Sequence, residues 1–293
     1  MSEEPEVNDQ PNATWPLSYD EAGRGGEPLM LVHGFTGGRA DFSEWIDPLA
    51  AMGRHVVVPD LRGHGTSGGP AGADRYGLDA FAADVLGLAD LLGWNRFGLL
   101  GHSMGGMVAQ RMAIGAQDRL TSLVLMDTHH GAVGGMDPGL VDLAIEVALT
   151  EGMEALATAM DQLGGSPLET EPARRLRLER PDIAAIDRAK LVASHPDMYA
   201  SMARQLIGAT DRLDQLTAVS VPTLVIVGEH DLPFLPASRA MAAAIPGARL
   251  VAALDHPHIA RVYHAGTHRP TGLAGDLGPV PFFAMELVQS GRA

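Results

Sequence analysis

The fold of this chain is decided by Phe97-Gly98-Leu99-Leu100-Gly101-His102-Ser103-Met104-Gly105-Gly106. Residues 97–100 form a short apolar run, which is typical of a buried strand. Residues 101–105 fit the pattern Gly-x-Ser-x-Gly, and residues 107–113 continue with apolar side chains at helical spacing. Because a strand, a sharp turn and a helix follow one another directly, the stretch predicts a nucleophile elbow with Ser103 at its tip.

The residue types in this turn follow from its geometry. A serine that leaves a sheet and enters a helix within one residue has a strained backbone, and we expect Gly101 and Gly105 to remove the Cβ atoms that would collide there. Gly106 is expected to let the helix pack close to the strand. The backbone N–H of Met104 lies at the helix N-terminus, so we expect it to face an oxyanion formed at Ser103.

The composition bounds what the chain can bind. It has 293 residues, 46% of them apolar, which is enough for one large globular domain or a core with an insertion. Its formal net charge of −15 argues against nucleic acid or an anionic membrane as a partner, because such partners need clustered Lys and Arg. The sequence contains no cysteine, which excludes disulfides and thiolate metal sites.

The first 14 residues are acidic and polar, and they lack the apolar segment of a secretory signal. We interpret residues 1–14 as a disordered tail. No apolar run approaches the ~20 residues that a membrane helix requires. We therefore expect the protein in the cytoplasm, with no membrane partner.

A second glycine-rich loop lies upstream of the elbow. Residues 29–32 form an apolar run that ends in His33-Gly34-Phe35-Thr36-Gly37-Gly38. A strand that ends in such a loop can present bare N–H groups to an anion, and the alternative is a plain glycine turn. We expect the N–H of Phe35 to donate to the oxyanion from the side opposite the N–H of Met104.

Three motifs in this order resemble the α/β-hydrolase fold superfamily, in particular its serine esterase and C–C bond hydrolase branch. They are His-Gly-Phe-x-Gly at 33–37, Asp-x-Arg-Gly-His-Gly-x-Ser at 60–67 and Gly-His-Ser-Met-Gly-Gly at 101–106, and an apolar run precedes each. The resemblance covers residues 28–130 and resumes near 218–251. It is specific for the fold and the nucleophile, and it says little about the substrate.

The alternation of apolar runs with helical patterns indicates the fold class. Such alternation predicts a mostly parallel, doubly wound α/β sheet that is covered on both faces and carries its site at the carboxyl ends of the strands. We expect this core over 15–129 and 216–293, with a short edge strand at 15–19. Between 130 and 215 the alternation stops, and the resemblance implies an inserted helical cap.

The predicted cap is rich in methionine. Because methionine adapts to varied apolar shapes, we expect Met153 and Met160 to line a substrate pocket. The alternative is that these side chains fill the seam between the cap and the core.

The acid and the base are assigned from the resemblance. Asp231 follows the apolar run that ends at Val227, where the family carries the acid of a catalytic triad, and Asp127 is the alternative. His258 falls at the position expected for the base. The acidic residue and proline that usually follow it are missing, and in this terminus only residues 281–289 look helical. The alternatives for the base are His256, His264 and His268.

These residues together predict a serine hydrolase of carboxylesterase type that forms an acyl-enzyme with a small-molecule substrate. The expected triad is Ser103, Asp231 and His258, the expected oxyanion donors are Phe35 and Met104, and the residues expected to contact the substrate are His33, Gly34, His102, Met153 and Met160. No nucleotide loop or metal cluster is evident in the sequence, so we expect neither a cofactor nor a metal.

Two other functions stay open at this point. A C–C bond hydrolase of diketone-type ring-fission products suits the same elbow. A non-catalytic binding protein with an α/β-hydrolase-like fold is the alternative from another class, because the C-terminal stretch departs from the family pattern. The sequence leaves the oligomeric state open, including a homodimer.

Overall fold

The computed structural model describes residues 14–165, 171–228, 231–252, 262–268 and 280–285, the last two ranges as backbone. These residues contain a seven-stranded sheet and a two-stranded sheet. The strands are β1 (Tyr19–Ala22), β2 (Glu27–Val32), β3 (Arg54–Pro59), β4 (Phe97–His102), β5 (Leu120–Met126), β6 (Thr223–Ile226), β7 (Arg249–Val251), β8 (Val262–His268) and β9 (Val280–Met285).

Ten α-helices accompany the strands in the described ranges. They are α1 (Ser43–Ala51), α2 (Leu78–Leu91), α3 (Met104–Gly115), α4 (Pro138–Thr150), α5 (Met153–Leu163), α6 (Glu171–Glu179), α7 (Pro181–Val192), α8 (Pro196–Ile207), α9 (Leu213–Leu216) and α10 (Leu235–Ala244). None of these ten is both long and apolar enough to cross a membrane.

The large sheet has the strand order β1-β3-β2-β4-β5-β6-β7. β1 runs antiparallel to β3, with Tyr19 opposite Pro59, and the other five neighbouring pairs are parallel. β4 is the central strand, so the chain leaves the middle of the sheet at Ser103. The predicted mostly parallel α/β sheet is confirmed.

Both faces of this sheet are covered, because successive side chains of each strand point to opposite faces. On one face, Met30 and Leu99 pack with side chains of α2 and α3. On the other face, Leu31 and Leu100 pack with side chains of α1. Burial on both faces explains why the strands read as unbroken apolar runs.

The chain between β5 and β6 forms a helical insertion. Five of its six described helices, α4 to α8, lie inside the span predicted for the cap, and α9 ends one residue beyond it. Ile145, Leu156 and Tyr199 belong to a small core of the insertion itself. Met198 and Met202 on α8 are instead fully buried in the main core. α8 therefore joins the insertion to the main core.

The predicted edge strand at 15–19 is wrong in its position, because the strand runs over Tyr19–Ala22. The backbone N–H of Trp15 donates to Asp84 at 2.6 Å, and the indole N–H donates to the carbonyl of Ser67 at 2.8 Å. These contacts hold the start of the segment outside the sheet, and sheet pairing begins only at Tyr19.

The prediction of a helix at 281–289 is also wrong over residues 281–285, and residues 286–289 lie outside the described residues. Residues 280–285 form β9, which pairs antiparallel with β8 in the small sheet. Val280, Phe282 and Phe283 are residue types that favour extended backbone, and the partner strand decides between the two local preferences.

Candidate active site

Ser103 stands at a strained turn between β4 and α3. Its backbone has φ 53° and ψ −118°, a conformation that residues other than glycine rarely adopt. Hydrogen bonds to neighbouring parts of the chain hold this geometry. Ser103 N–H donates to the carbonyl of Met126 at 2.9 Å, and the Ser103 carbonyl accepts from Thr128 Oγ1 at 2.6 Å and from Gly106 N–H at 2.9 Å. The turn predicted from the sequence is thus fixed by the neighbouring strand as well as by its own residues.

The glycines of the elbow permit the close approach of α3 to the sheet. A Cβ added at Gly101 would lie 2.2 Å from the carbonyl oxygen of Gly105, and one added at Gly105 would lie 2.3 Å from the carbonyl oxygen of Val32. Both distances are far inside van der Waals contact and involve backbone atoms. Gly106 has a different neighbour from the one expected, because its added Cβ would meet the side chain of Thr128 at 2.5 Å.

The loop after β2 lies beside the serine. A Cβ added at Gly34 would be 3.1 Å from Ser103 Cβ and 3.4 Å from His102 Nδ1. The N–H of Met104 is in the first turn of α3, where it has no intrahelical acceptor. Within the described ranges, neither this N–H nor that of Phe35 donates to another group of the chain. The two amides are therefore available to an oxyanion, and their role in binding one stays a prediction.

The His33 ring is used to hold loops together. The side chain is fully buried, its Nε2 accepts from Leu61 N–H at 2.9 Å, and its Nδ1 lies 2.8 Å from the Gly34 carbonyl. It packs edge-on against His64, with ring centroids 4.7 Å apart. Burial lowers the pKa of His33, so the ring stays neutral and Nδ1–H donates. In this conformation the ring fixes Gly34 and presents no free nitrogen to a ligand, and its expected contact with substrate stays a prediction.

The cap reaches the same loop through Asp41 and Lys190, neither of which the sequence analysis identified. Asp41 accepts from Gly38 N–H at 3.2 Å, and the Lys190 ammonium on α7 pairs with the Asp41 carboxylate. Burial alone would raise the pKa of Asp41, but the Lys190 ammonium holds this pKa below its ordinary value. No local pattern reveals such a pair, because 149 residues separate its members.

A second contact between the cap and this loop is aromatic. The Phe35 ring stacks on that of Tyr199 in α8, with centroids 5.1 Å apart and planes inclined by 29°. Met153 is buried in the same cluster of the insertion, and Met160 packs at its edge. Contact of these two methionines with a substrate stays a prediction.

The two candidate acids lie against one another. Asp127 follows β5 with φ 42°, and its Oδ1 accepts from Gly228 N–H at 2.9 Å. Asp231 follows in the turn after β6, where its N–H donates to the Gly228 carbonyl at 3.1 Å. Burial, the negative charge of Asp127 and a hydrogen bond with its carboxyl raise the pKa of Asp231 to about 7. The alternatives considered from the sequence are therefore members of one carboxyl pair.

One oxygen of this pair is unoccupied by the described residues. Asp231 Oδ1 is buried and has no hydrogen-bond partner among them. A buried carboxylate oxygen without a donor is unfavourable, so a donor such as an imidazole N–H would stabilise it. His256 and His258 lie outside the described residues, while His264 and His268 lie on β8. The assignment of the base stays a prediction.

We expect Asp127→Asn to change how stability depends on pH. The pKa of Asp231 is raised to about 7 in the folded protein, above its ordinary value of about 4 in the unfolded chain. Protonation of this carboxyl therefore stabilises the fold fully below about pH 4, and this contribution is lost as the pH rises through 7. Asparagine keeps an acceptor for Gly228 N–H and removes the like charge beside Asp231. The variant should therefore lose less stability than the wild type as the pH rises. Urea unfolding of both proteins at a series of pH values should show that the free energy of unfolding of the variant increases relative to that of the wild type from about pH 5 to about pH 8. A difference that does not vary with pH would contradict the pairing.

Comparison with known proteins agrees with this architecture. The family model described as the alpha/beta hydrolase fold matches residues 27–265. A 2-hydroxy-6-oxononadienedioate/2-hydroxy-6-oxononatrienedioate hydrolase of Pseudomonas putida is 30% identical over 263 residues, which cover 85% of this chain and 87% of that protein. Several other curated relatives match over part of their length only, and this chain spans 32% of epoxide hydrolase 4 of Mus musculus.

Solved structures give the same result. The enol-lactonase of Burkholderia xenovorans superposes with a TM-score of 0.70 at 30% identity, covering 82% of this chain and 88% of that one. A thermophilic esterase of Thermogutta terrifontis superposes with a TM-score of 0.65 at 30% identity, covering 81% and 84%. From its sheet, its elbow and these matches, the chain belongs to the α/β-hydrolase fold family, as its motifs predicted.

Proposed function

We propose that this protein is a serine hydrolase that cleaves a carboxylic ester or a cyclic ester through an acyl-enzyme. The observation that carries the proposal is the strained, hydrogen-bonded turn at Ser103, beside which the backbone N–H groups of Phe35 and Met104 have no acceptor among the described residues. Backbone held in such a rare conformation is found where function requires it. The enol-lactonase and the esterase that superpose on this chain support an ester substrate.

The proposed reaction begins with attack of Ser103 Oγ on the carbonyl carbon. A histidine, for which we retain His258, takes the hydroxyl proton as the C–O bond forms. The N–H groups of Phe35 and Met104 hold the oxyanion. The imidazolium then protonates the leaving alcohol, and water repeats the sequence to release the acid.

The carboxyl pair has a defined part in this proposal. An ionised carboxylate stabilises the imidazolium and fixes its tautomer. Asp231 carries the buried oxygen that has no partner among the described residues, so we assign this carboxyl the contact with the histidine. Asp127 then acts through Asp231, because it shares the site with that carboxyl and is itself anchored by Gly228 N–H.

A C–C bond hydrolase is the second candidate. The observation in its favour is the Pseudomonas putida relative, which matches 85% of this chain and whose name describes a dienedioate hydrolase. Both reactions start at a carbonyl group, and the same serine and oxyanion donors suit either of them. The elbow geometry alone does not distinguish the two candidate reactions, so they must be distinguished by the substrate that the protein turns over.

Turnover of two substrate classes separates them. The purified full chain is assayed with short p-nitrophenyl esters and a simple lactone, and separately with a 2-hydroxy-6-oxo-dienoate ring-fission product. We expect saturable ester or lactone hydrolysis that a fluorophosphonate inhibitor abolishes by labelling Ser103. Cleavage of the dienoate with negligible ester turnover would instead establish the second candidate. No turnover of any substrate and no labelling would leave a non-catalytic binding protein.

A further inference from the structure

A cleft lies away from the serine, between the start of α2, the middle of α3, the end of α8 and the start of α9. It has a volume of about 470 Å³. Arg111 on its α3 wall is eight residues beyond Ser103, which corresponds to ~12 Å along a helix axis. Asp79 on α2 and Arg212 at the start of α9 are the other charged side chains of the lining. The cleft is thus separate from the elbow.

Arg212 is a buried cation that makes no direct ion pair in the part of the chain that the structure describes. The residue is 4% exposed. Its Nη1 donates to the Thr210 carbonyl at 3.3 Å, whereas Nε and Nη2 have no acceptor among the described residues. Burial and the charge of Arg111 lower the pKa of Arg212, and the charges of Asp211 and Asp79 oppose this shift only in part. A buried guanidinium in this condition is unfavourable by the loss of its hydration.

The carboxylate in the cleft is already engaged. Asp79 accepts two hydrogen bonds from Arg111, each of 2.6 Å, in a fork-to-fork pair. The three charged side chains of the lining therefore sum to one positive charge, in a chain whose formal net charge is −15. A local positive charge on an acidic protein attracts a small anion selectively to that place.

The start of α2 adds donors to the same wall. This helix has 14 residues, and its N-cap is Gly77, which offers no side chain to the first-turn N–H groups. Gly77, Leu78 and Asp79 all line the cleft. Free N–H groups and the positive end of the helix dipole favour an oxyanion. Together with the two arginines they form a composite site rather than a helix terminus alone.

We propose that this cleft binds a small oxyanion, a carboxylate or a phosphate, as the counter-ion of Arg212. The anion lies against Arg111 and the first turn of α2. Nε and Nη2 of Arg212, which have no acceptor among the described residues, are covered by neighbouring atoms. Arg212 therefore acts on the anion from the buried wall through its charge, which has a strong effect at low dielectric. The site is independent of the hydrolase proposed above.

Thermal unfolding of the full chain tests this at constant ionic strength. Inorganic phosphate or acetate replaces chloride in steps, and isothermal titration calorimetry measures binding directly. We expect the Tm of the wild type to rise saturably with at least one of these anions, because binding to the native state stabilises it. A response to phosphate alone identifies a phosphate site, and a response to acetate as well identifies a carboxylate site.

Two variants locate the effect. Arg212→Met removes the buried charge, so its Tm without added anion should equal or exceed that of the wild type, and the anion should no longer raise it. Arg111→Gln releases Asp79 to neutralise Arg212, so it should also lose the response. Arg204→Gln is the control, since Arg204 is an exposed residue of α8 that does not line the cleft, and its response should be kept.

The proposal fails on either of two outcomes. One is a wild-type Tm that does not change saturably when phosphate or acetate replaces chloride. The other is a rise that persists in both Arg212→Met and Arg111→Gln, which would place the anion elsewhere on the protein. Neither outcome depends on enzyme activity, so failure here leaves the proposed function unaffected.

Discussion

Ser103→Ala is expected to lose the hydrolysis of any ester that the wild type turns over, by ~10⁴–10⁶ in kcat. The alanine removes the Oγ that would form the acyl bond, while the proposed oxyanion donors stay in place. Binding of the substrate should therefore change little, and the loss should fall on kcat rather than on KM. Single-turnover and steady-state kinetics of the purified variant measure both.

Stability supplies an independent readout of the same residue. Alanine is strained at φ 53° as serine is, so Ser103→Ala should unfold close to the wild-type Tm. Ser103→Gly relieves the strain and should be more stable by about 1 kcal/mol, although equally inactive. Ser43→Ala, at an exposed serine, is the control for both readouts. Substantial turnover in Ser103→Ala would show that another group is the nucleophile.

The elbow was predictable because every signal for it is local. An apolar run, two glycines around a serine and a helical pattern lie within 17 residues, and the structure places Ser103 on the expected turn. The strands behind the candidate acids were predictable for the same reason. Because carboxyl ends of parallel strands share one edge of the sheet, residues that follow strands could be expected there.

Contacts between distant parts of the chain were not predictable. Asp127 and Asp231 could be placed at strand ends, but only the pairing of β5 with β6 makes them neighbours. The pair of Asp41 with Lys190 joins the core to the cap, and nothing near either residue indicates the other. The strand at 280–285 likewise depends on its partner β8. In each case the contact depends on tertiary structure, which the local sequence pattern does not specify.

The largest expected effect on stability is that of a buried ion pair beneath the site. Arg62 and Asp84 are each 1% exposed, and two hydrogen bonds of 2.7 and 2.5 Å join the guanidinium to the carboxylate. Asp84 also accepts from Trp15 N–H at 2.6 Å, and Arg62 donates to the Arg75 carbonyl at 2.9 Å. The pair thus fastens the loop after β3 and the first described residues of the chain to α2.

Asp84→Asn is expected to destabilise the protein by about 3–5 kcal/mol. The amide has nearly the shape of the carboxylate but removes the negative charge that neutralises Arg62 in the core, where the charge cannot be rehydrated. The midpoint of urea unfolding, with the slope checked for constancy, measures the loss. The double variant Arg62→Met with Asp84→Leu should recover much of the lost stability. Apolar side chains can replace a buried ion pair, whereas a single buried charge without its partner is strongly destabilising.

Asp79→Asn is the matched control for that measurement, because Asp79 lies on the same helix and makes the same two-bond contact with an arginine. Its side chain is 76% exposed, so water compensates for the change and the expected effect is only ~0–1 kcal/mol. The comparison is made in chloride alone, without phosphate or acetate. If Asp84→Asn and Asp79→Asn lowered the free energy of unfolding by the same small amount, water would have to reach Arg62. That result would contradict the burial from which the large effect of Asp84→Asn is expected.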